Sequence, residues 1–149
     1  MAPQGGWAWL GCHGGAGVTS LQHALPGGYD AGRMWPAPVA NLRHPVVLVC
    51  RSNVAGLTAA QNAARQWASG HVQGVDLLGL VVLADAPGKL PRPLKDLFHL
   101  VSGGLPRTWT VPWLDAWRLG ETPSADQSRR LGALQRDLAR HSSERTQHA

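Results

Sequence analysis

The chain has 149 residues, of which 44% are hydrophobic, and a formal net charge of +5 at pH 7. This length suits one domain with a sizeable buried core, and the apolar fraction argues against wholesale disorder. No apolar stretch approaches the ~18–20 residues that cross a bilayer, and the first residues lack the positive start of a secretory signal. The histidines lack metal-ligand spacing, and the two cysteines are expected to be buried thiols. We therefore expect a cytoplasmic protein without a membrane span.

The first predicted strand, residues 7–11, leads into a glycine cluster and then into a short helix from Thr19 to about Ala24. Pro26 and the two glycines after it stop that helix, and residues 26–44 are predicted to form a long loop. Such a loop in a compact domain is usually functional or conceals an element. The remaining predicted elements are a strand over 46–50, a helix over 57–68, a strand over 75–84, a helix over 91–100, a strand over 107–111 and a helix from about Ser124 to His141.

This alternation of apolar runs and helical segments predicts a three-layer α/β domain with a mainly parallel sheet of about four or five strands. We assign residues 1–123 to a P-loop-like α/β core, and residues 124–149 to a basic C-terminal helix with a frayed tail. That helix is a candidate nucleic-acid surface, although a solvated basic face is the commoner origin of such a pattern. Its arginines are Arg129, Arg130, Arg136, Arg140 and Arg145.

The strand, glycine turn and helix start over residues 7–21 have the layout of a phosphate-binding loop. In such a loop, the backbone N–H groups of the turn converge on an anion, and the helix adds partial positive charge. A glycine-rich turn can also serve packing alone, because glycine allows positive φ and close approach. Thr19 can contact the magnesium ion of a bound nucleotide or simply cap the helix. The candidate residues for nucleotide or anion binding are His13, Gly14, Gly15, Ala16, Gly17, Val18, Thr19 and Ser20.

The spacing of this loop resembles the glycine-rich loop of the ParA/MinD family of P-loop ATPases, in which two lysines flank the last glycine pair. His13 and Val18 occupy the positions of those lysines. The glycines of the loop are therefore present, while the two positive charges that the family uses are absent. The chain also resembles small P-loop-like proteins found beside conjugation or plasmid-transfer genes in GC-rich bacteria. The resemblance implies ATP or GTP with magnesium as the ligand if the loop still binds one, and otherwise no cofactor.

The likeness continues along the chain in the order that the family has. Residues 46–51 resemble a late strand of MinD-like ATPases, and residues 78–85 resemble their next strand, whose end carries a residue that reads the adenine. The segment around Pro112 and Trp113 resembles the one that lies against the nucleotide base. The resemblance thus implies that Asp85, Pro112 and Trp113 contact the base, although Trp113 can equally be a packing residue. An alternative alignment makes Asp85 the magnesium-linked acid at the end of a Walker B strand.

The expected function follows from the positions at which this sequence differs from working members of the ParA/MinD family. A working member has an aspartate in a switch segment and a second one after an early strand, and residues 26–44 are too short to hold both elements. Without the lysines we do not expect efficient hydrolysis, because phosphoryl transfer needs positive charge at its transition state. We predict a degenerate P-loop protein, a pseudo-NTPase without catalytic residues, in which nucleotide or anion binding is weak or vestigial. It would act through contacts with a protein partner in plasmid or conjugative-element biology.

Two alternatives stay open. One is an active ATPase or GTPase in which Arg33 or Arg51 supplies the missing cation. The other is a basic adaptor that binds DNA through the C-terminal helix. A tryptophan in the long loop, Trp35, would indicate a protein interface if it were exposed.

Overall fold

The computed structural model describes residues 6–147, with side chains through residue 141, and shows a three-layer α/β domain. Its strands are β1 (Trp7–Gly11), β2 (Gly28–Asp30), β3 (His44–Arg51), β4 (Val75–Leu83) and β5 (Thr108–Val111). Its helices are α1 (Val18–Ala24), α2 (Val54–Ala68), α3 (Arg92–Ser102), α4 (Asp115–Arg118) and α5 (Arg129–Gln147), with a short 3-10 turn at Ala125–Gln127. The strands form one parallel sheet in the order β2-β1-β3-β4-β5, which confirms the predicted fold class.

Both faces of the sheet are covered by helices. All five residues of β1 and residues 45–50 of β3 are buried, and such continuous apolar strands are typical of parallel sheets covered on both sides. Helices α1 and α5 pack on one face, around Trp9 and Leu21, which we call the α1/α5 face. Helices α2 and α3 pack on the other, around Leu48, which we call the α2/α3 face. Among the described residues, no helix has the length and apolar character to cross a bilayer.

The strand order places the carboxyl ends of the neighbouring strands β1, β3 and β4 side by side, and we call this end of the sheet its carboxyl edge. The chain passes from β1 outward to β2 and then returns across β1 to form β3 on its other side. In open parallel sheets, ligands bind outside the carboxyl ends of the strands where the order reverses in this way. The glycine cluster follows β1, Arg51 ends β3, and Asp85 follows β4, so the predicted site residues come to this edge.

Residues 26–44, predicted to be a long loop that is functional or conceals an element, contain the strand β2. β2 pairs in parallel with β1 and forms the edge of the sheet. Glycine is required at its first residue, Gly28, because a Cβ atom there would overlap the indole nitrogens of Trp7 and Trp9. A strand of three residues is too short to show a hydrophobic period, so no pattern in the sequence could indicate it.

Trp35, in the segment after β2, is half-buried rather than exposed. Its Nε1 donates to Oε1 of Gln66 on α2 at 2.9 Å, and its ring packs against the core of the α2/α3 face. The indole therefore anchors the segment between β2 and β3 to the domain. It does not indicate a protein interface.

The start of the C-terminal helix differs from the prediction. Ser124 is the N-cap of the 3-10 turn at Ala125–Gln127, and its amide donates to Oε1 of Gln127 at 2.8 Å. The amide of Leu131 donates to Oγ of Ser128 at 3.3 Å, which is the hydrogen bond of an N-cap. Ser128 therefore caps α5, and Ser124 does not.

Helix α5 is a full part of the α1/α5 face. Leu131, Leu134 and Leu138 are at most 1% exposed, and they join the same core as the side chains of α1. The helix continues through Gln147, beyond the predicted end at His141. The last two residues of the predicted frayed tail lie outside the described residues. Helix α5 is thus one of the two helices that form the layer on this face, rather than an appended arm.

Candidate functional site

The glycine loop, residues 12–17, joins β1 to α1 at the carboxyl edge of the sheet. The amide of Cys12 donates to the carbonyl oxygen of Val49 at 2.9 Å, so the loop leaves β1 in line with β3. Gly15 and Gly17 have φ values of +77° and +102°, in the left-handed region that glycine adopts readily. The loop therefore has a defined turn that depends on its glycines.

His13 links the glycine loop to β3 through hydrogen bonds of its two ring nitrogens. Its Nε2 accepts the amide N–H of Arg51 at 3.0 Å, and its Nδ1 donates to the carbonyl oxygen of Gly14 at 2.9 Å. Because a backbone amide only donates and a carbonyl only accepts, the ring is the neutral tautomer with its proton on Nδ1. Both ring nitrogens are engaged, so the geometry gives His13 a positioning role and leaves no ring N–H for a phosphate.

The start of α1 presents backbone donors at the same edge. Val18 and Ala16 are buried in the core, whereas Thr19 is exposed and Ser20 is half-buried. The helix has a glycine N-cap with no side-chain hydrogen bond, and the amides of residues 18–20 have no partner among the described residues. Such amides can donate to an anion.

Two arginines flank the glycine loop. Nε of Arg51 donates to the carbonyl oxygen of Gly15 at 3.1 Å, and a Cβ atom at Gly17 would lie 3.2 Å from Nη2 of the same arginine. Arg33 comes from the segment after β2, and its Nη1 lies 3.8 Å from the position of a Cβ atom at Gly14. Both arginines that we considered as substitutes for the missing lysines are thus beside the loop.

The loop and the two arginines surround a cavity of about 340 Å³, the glycine-loop cavity. Asp30, at the end of β2, also lines it, and its Oδ1 accepts the amide of Gly32 at 2.7 Å. Asp30 was missed from the sequence because its strand was missed. Thr19 and Ser20 line the same cavity, so the side-chain oxygens available there to a magnesium ion are those of Thr19, Ser20 and Asp30. The described residues contain no cluster of three or more metal-ligating side chains.

A second cavity, of about 390 Å³, adjoins the first along the carboxyl edge, and we call it the edge cavity. Ser20 and Arg51 line both cavities. Asp85, Pro112 and Trp113 line the edge cavity, so the structure brings together the three residues that the resemblance assigns to the base. Side chains of α4, which the sequence did not indicate, complete the wall: Leu114 at its N-cap, Trp117 and Arg118.

Asp85 is held in place by the segment that follows β3. Its amide donates to Oγ of Ser52 at 2.9 Å, and its Oδ2 accepts from Nδ2 of Asn53 at 3.2 Å. Asn53 also caps α2, because its Oδ1 accepts the amide of Gly56 at 2.7 Å. Asp85 lines the edge cavity and not the glycine-loop cavity, and β3 separates its strand from β1. This position suits a base contact better than a magnesium ligand at the glycine loop.

Trp113 is half-buried at the entry to α4. Its Nε1 donates to Oδ1 of Asp115 at 3.2 Å, which orients the indole at the wall of the edge cavity. The ring therefore lines the edge cavity at a position where a base could stack on it.

The two thiols are not nucleophiles at neutral pH. Burial raises the pKa of Cys12 to about 12. Burial, with a smaller contribution from the neighbouring Cys12, raises the pKa of Cys50 well above its usual range. Because the thiolate is the reactive form, both groups stay protonated and inert. Both cysteines are free thiols; Cys50 is buried, as predicted, whereas Cys12 is half-buried.

The fold and its edge cavities define an open α/β domain with a crevice at the carboxyl ends of a parallel sheet. The family model described as "Family of unknown function (DUF6668)" matches residues 7–132, and the chain belongs to this family. The match begins with β1 and ends inside α5, so it includes every strand and the whole crevice. No curated protein matches the chain, and no solved structure matches it.

Proposed function

We propose that this chain binds a nucleotide, or another ligand that carries phosphate, as a degenerate P-loop protein. The observation that carries the proposal is the pair of adjoining cavities that share Ser20 and Arg51. The phosphates would lie in the glycine-loop cavity. The base would lie in the edge cavity, against Asp85, Pro112 and Trp113. This arrangement follows the general placement of ligands at the carboxyl edge of open parallel sheets.

The charge of the glycine-loop cavity favours an anion. Arg33 and Arg51 bring two positive charges to its lining, and Asp30 brings one negative charge. Helix α1 has seven residues, about two turns, so its dipole contributes less than the arginines. A guanidinium can bind two phosphate oxygens at once, and a hydrogen bond to a charged group contributes about 1.5–3 kcal/mol. The arginines thus replace part of the affinity that lysines would give.

We infer binding without efficient turnover. Val18 is buried in the core at one lysine position, and His13 is neutral and engaged at the other. Phosphoryl transfer needs positive charge placed on the transferred group, and neither residue supplies it. The bound ligand would then stabilise a surface for a protein partner. This role agrees with the resemblance to proteins encoded beside conjugation and plasmid-transfer genes.

An active ATPase or GTPase is the first rival. Its support is that Thr19 and Asp30, with the two arginines, line the glycine-loop cavity. In such an enzyme Thr19 and Asp30 would hold magnesium, and Arg33 or Arg51 would stabilise the transferred phosphoryl group. Magnesium-dependent turnover separates this rival from the proposal.

A basic DNA-binding adaptor is the second rival. Arg129, Arg136 and Arg140 are exposed at spacings of seven and four residues, which places them along one face of α5. Arg140 lies 3.8 Å from Asp137 on the same helix, but Asp137 already accepts from Arg107 and Trp109, so this contact offsets little of the charge of Arg140. If this face binds duplex DNA, affinity should fall steeply with salt and should decrease in Arg136→Gln.

The proposal is tested by titrating pyrophosphate, ATP and GTP, with and without magnesium, into the full chain while following backbone amide shifts. We expect shifts at residues 13–20 with all three ligands, and at residues 85 and 113 with the nucleotides only. Arg51→Gln should weaken pyrophosphate roughly tenfold or more, because a charge-assisted contact is lost. Arg65→Gln is the matched control, since Arg65 is exposed on α2 and outside the cavities.

The proposal is rejected if the amide shifts of residues 13–20 do not change at millimolar pyrophosphate and ATP. An equal loss of affinity in Arg51→Gln and Arg65→Gln would also reject it, because the effect would then be one of general charge.

A further inference from the structure

A third cavity, of about 400 Å³, lies on the α2/α3 face at the same edge of the sheet, and we call it the α3 cavity. Its walls are the ends of β4 and β5, the segment from residue 84 to residue 91, and the first turns of α3. A volume of this size and a mainly apolar lining are typical of sites for small molecules. The apolar side chains that line it include Val82, Leu90, Leu94 and Phe98.

The α3 cavity shares no lining residue with the glycine-loop cavity. It shares Ala84, Asp85 and Pro112 with the edge cavity. The hydrogen bonds of Asp85 to Ser52 and Asn53 hold this residue in place. Ligand binding in the α3 cavity therefore does not depend on a phosphate at the glycine loop.

An arginine from the opposite layer reaches the α3 cavity. Arg130 belongs to α5, and its Nη1 donates to Oγ1 of Thr110 on the edge strand β5 at 3.2 Å. Arg130, Thr110 and Lys89 all line the cavity. A guanidinium has five N–H donors, so the bond to Thr110 leaves others for a ligand. The lining thus combines an apolar wall with two cations, one of them oriented by a hydrogen bond.

We propose that the α3 cavity binds a small amphipathic monocarboxylate. Its apolar body would lie against Leu94 and Phe98, and its carboxylate would face Arg130 and Lys89. The planar guanidinium matches a carboxylate in geometry as well as in charge. Asp85, Lys89 and Arg130 are the charged side chains of the lining, and their formal charges sum to +1. Charge complementarity therefore favours one carboxylate on an otherwise apolar molecule.

The test uses octanoate and n-octanol, which share an apolar chain and differ in charge. Each is titrated into the full chain, and amide shifts are followed at residues 94, 98 and 110. In the wild-type protein we expect octanoate to bind at least tenfold more tightly than n-octanol. Arg130→Gln should weaken octanoate about tenfold and leave n-octanol unchanged. Arg136→Gln is the control, because this arginine is exposed on the same helix and outside the cavity.

Lys89→Gln tests the second cation without touching the hydrogen bond between Arg130 and Thr110. It should weaken octanoate severalfold, whereas Lys95→Gln, on the exposed side of α3, should not. Equal binding of octanoate and n-octanol would overturn the proposal. It would also be overturned by the same loss of octanoate affinity in Arg130→Gln and Arg136→Gln, or by silence of all three reporter residues at millimolar octanoate.

Discussion

Gly14 and Gly17 lie three residues apart in the glycine loop, but they have different physical requirements. Gly17 has a φ of +102°, and a Cβ atom there would overlap Cδ1 of Leu83, which is 1% exposed and has little room to move. Gly14 has an ordinary φ, and the nearest atom to its Cβ position is 3.8 Å away. Gly17 is therefore needed for the fold of the loop, whereas Gly14 leaves space where a ligand can approach.

Substituting these two glycines separates the two requirements. We expect Gly17→Ala to lower the free energy of unfolding by about 1–3 kcal/mol, through backbone strain and the overlap with Leu83. Gly14→Ala should change it by less than about 0.5 kcal/mol. Urea denaturation of both variants, with the slope compared to wild type, measures the difference. Equal stability of the two variants would show that the positive φ at Gly17 carries no strain.

The elements that could not be predicted from this sequence are the short ones. The long apolar runs and the helical pattern around Leu57 predicted β1, β3, β4 and α2, with boundaries within three residues of those observed. The strands are buried on both faces, so they leave a strong hydrophobic signal in the sequence. The short strand β2 and the single turn of α4 carry no such period. The mistaken N-cap at Ser124 has a similar cause, since two serines four residues apart each fit a cap.

The same limit explains what was missed at the site. The glycine loop is local in sequence, so its residues were found, and the segment at Pro112 was found by resemblance. The placement of Asp30 and Arg33 depends on β2 pairing with β1, which is a tertiary event. Arg130 reaches Thr110 only because α5 packs beside the edge strand. No periodicity of one segment can report such contacts between distant ones.

Helix α5 offers a test at the scale of an element. Leu134 is fully buried in the core of the α1/α5 face, whereas Leu119 is 71% exposed. We expect Leu134→Ala to lower the free energy of unfolding by about 2–5 kcal/mol, because it removes buried methyl groups and leaves a cavity. Leu119→Ala should cost less than about 0.5 kcal/mol. If chemical denaturation gives both variants wild-type stability, α5 is an appended arm and not a layer of the domain.

The whole molecule places three cavities along one edge of a single sheet. The glycine-loop cavity and the edge cavity share Ser20 and Arg51, and the α3 cavity shares Ala84, Asp85 and Pro112 with the edge cavity. The end of β3 and the segment after it line all three cavities, since Arg51 contacts the glycine loop and Asn53 holds Asp85. A parallel sheet brings such segments together because all its strands end on the same side. The architecture therefore supplies the crevice, and the side chains determine its chemistry.

The balance of that chemistry favours binding over turnover. We expect no magnesium-dependent release of phosphate from ATP or GTP above the level of a Thr19→Ala variant. Val18 is buried where a lysine would act, Arg51 already donates to Gly15, and Asp30 already accepts from Gly32. A tenfold rate enhancement requires about 1.4 kcal/mol of transition-state stabilisation, and without a lysine at either position we do not expect Arg33 and Arg51 to supply several such increments. The measurement is a phosphate-release assay on the full chain with saturating ligand. Turnover that requires magnesium and disappears in Thr19→Ala would instead make the chain an active NTPase with a substituted cation.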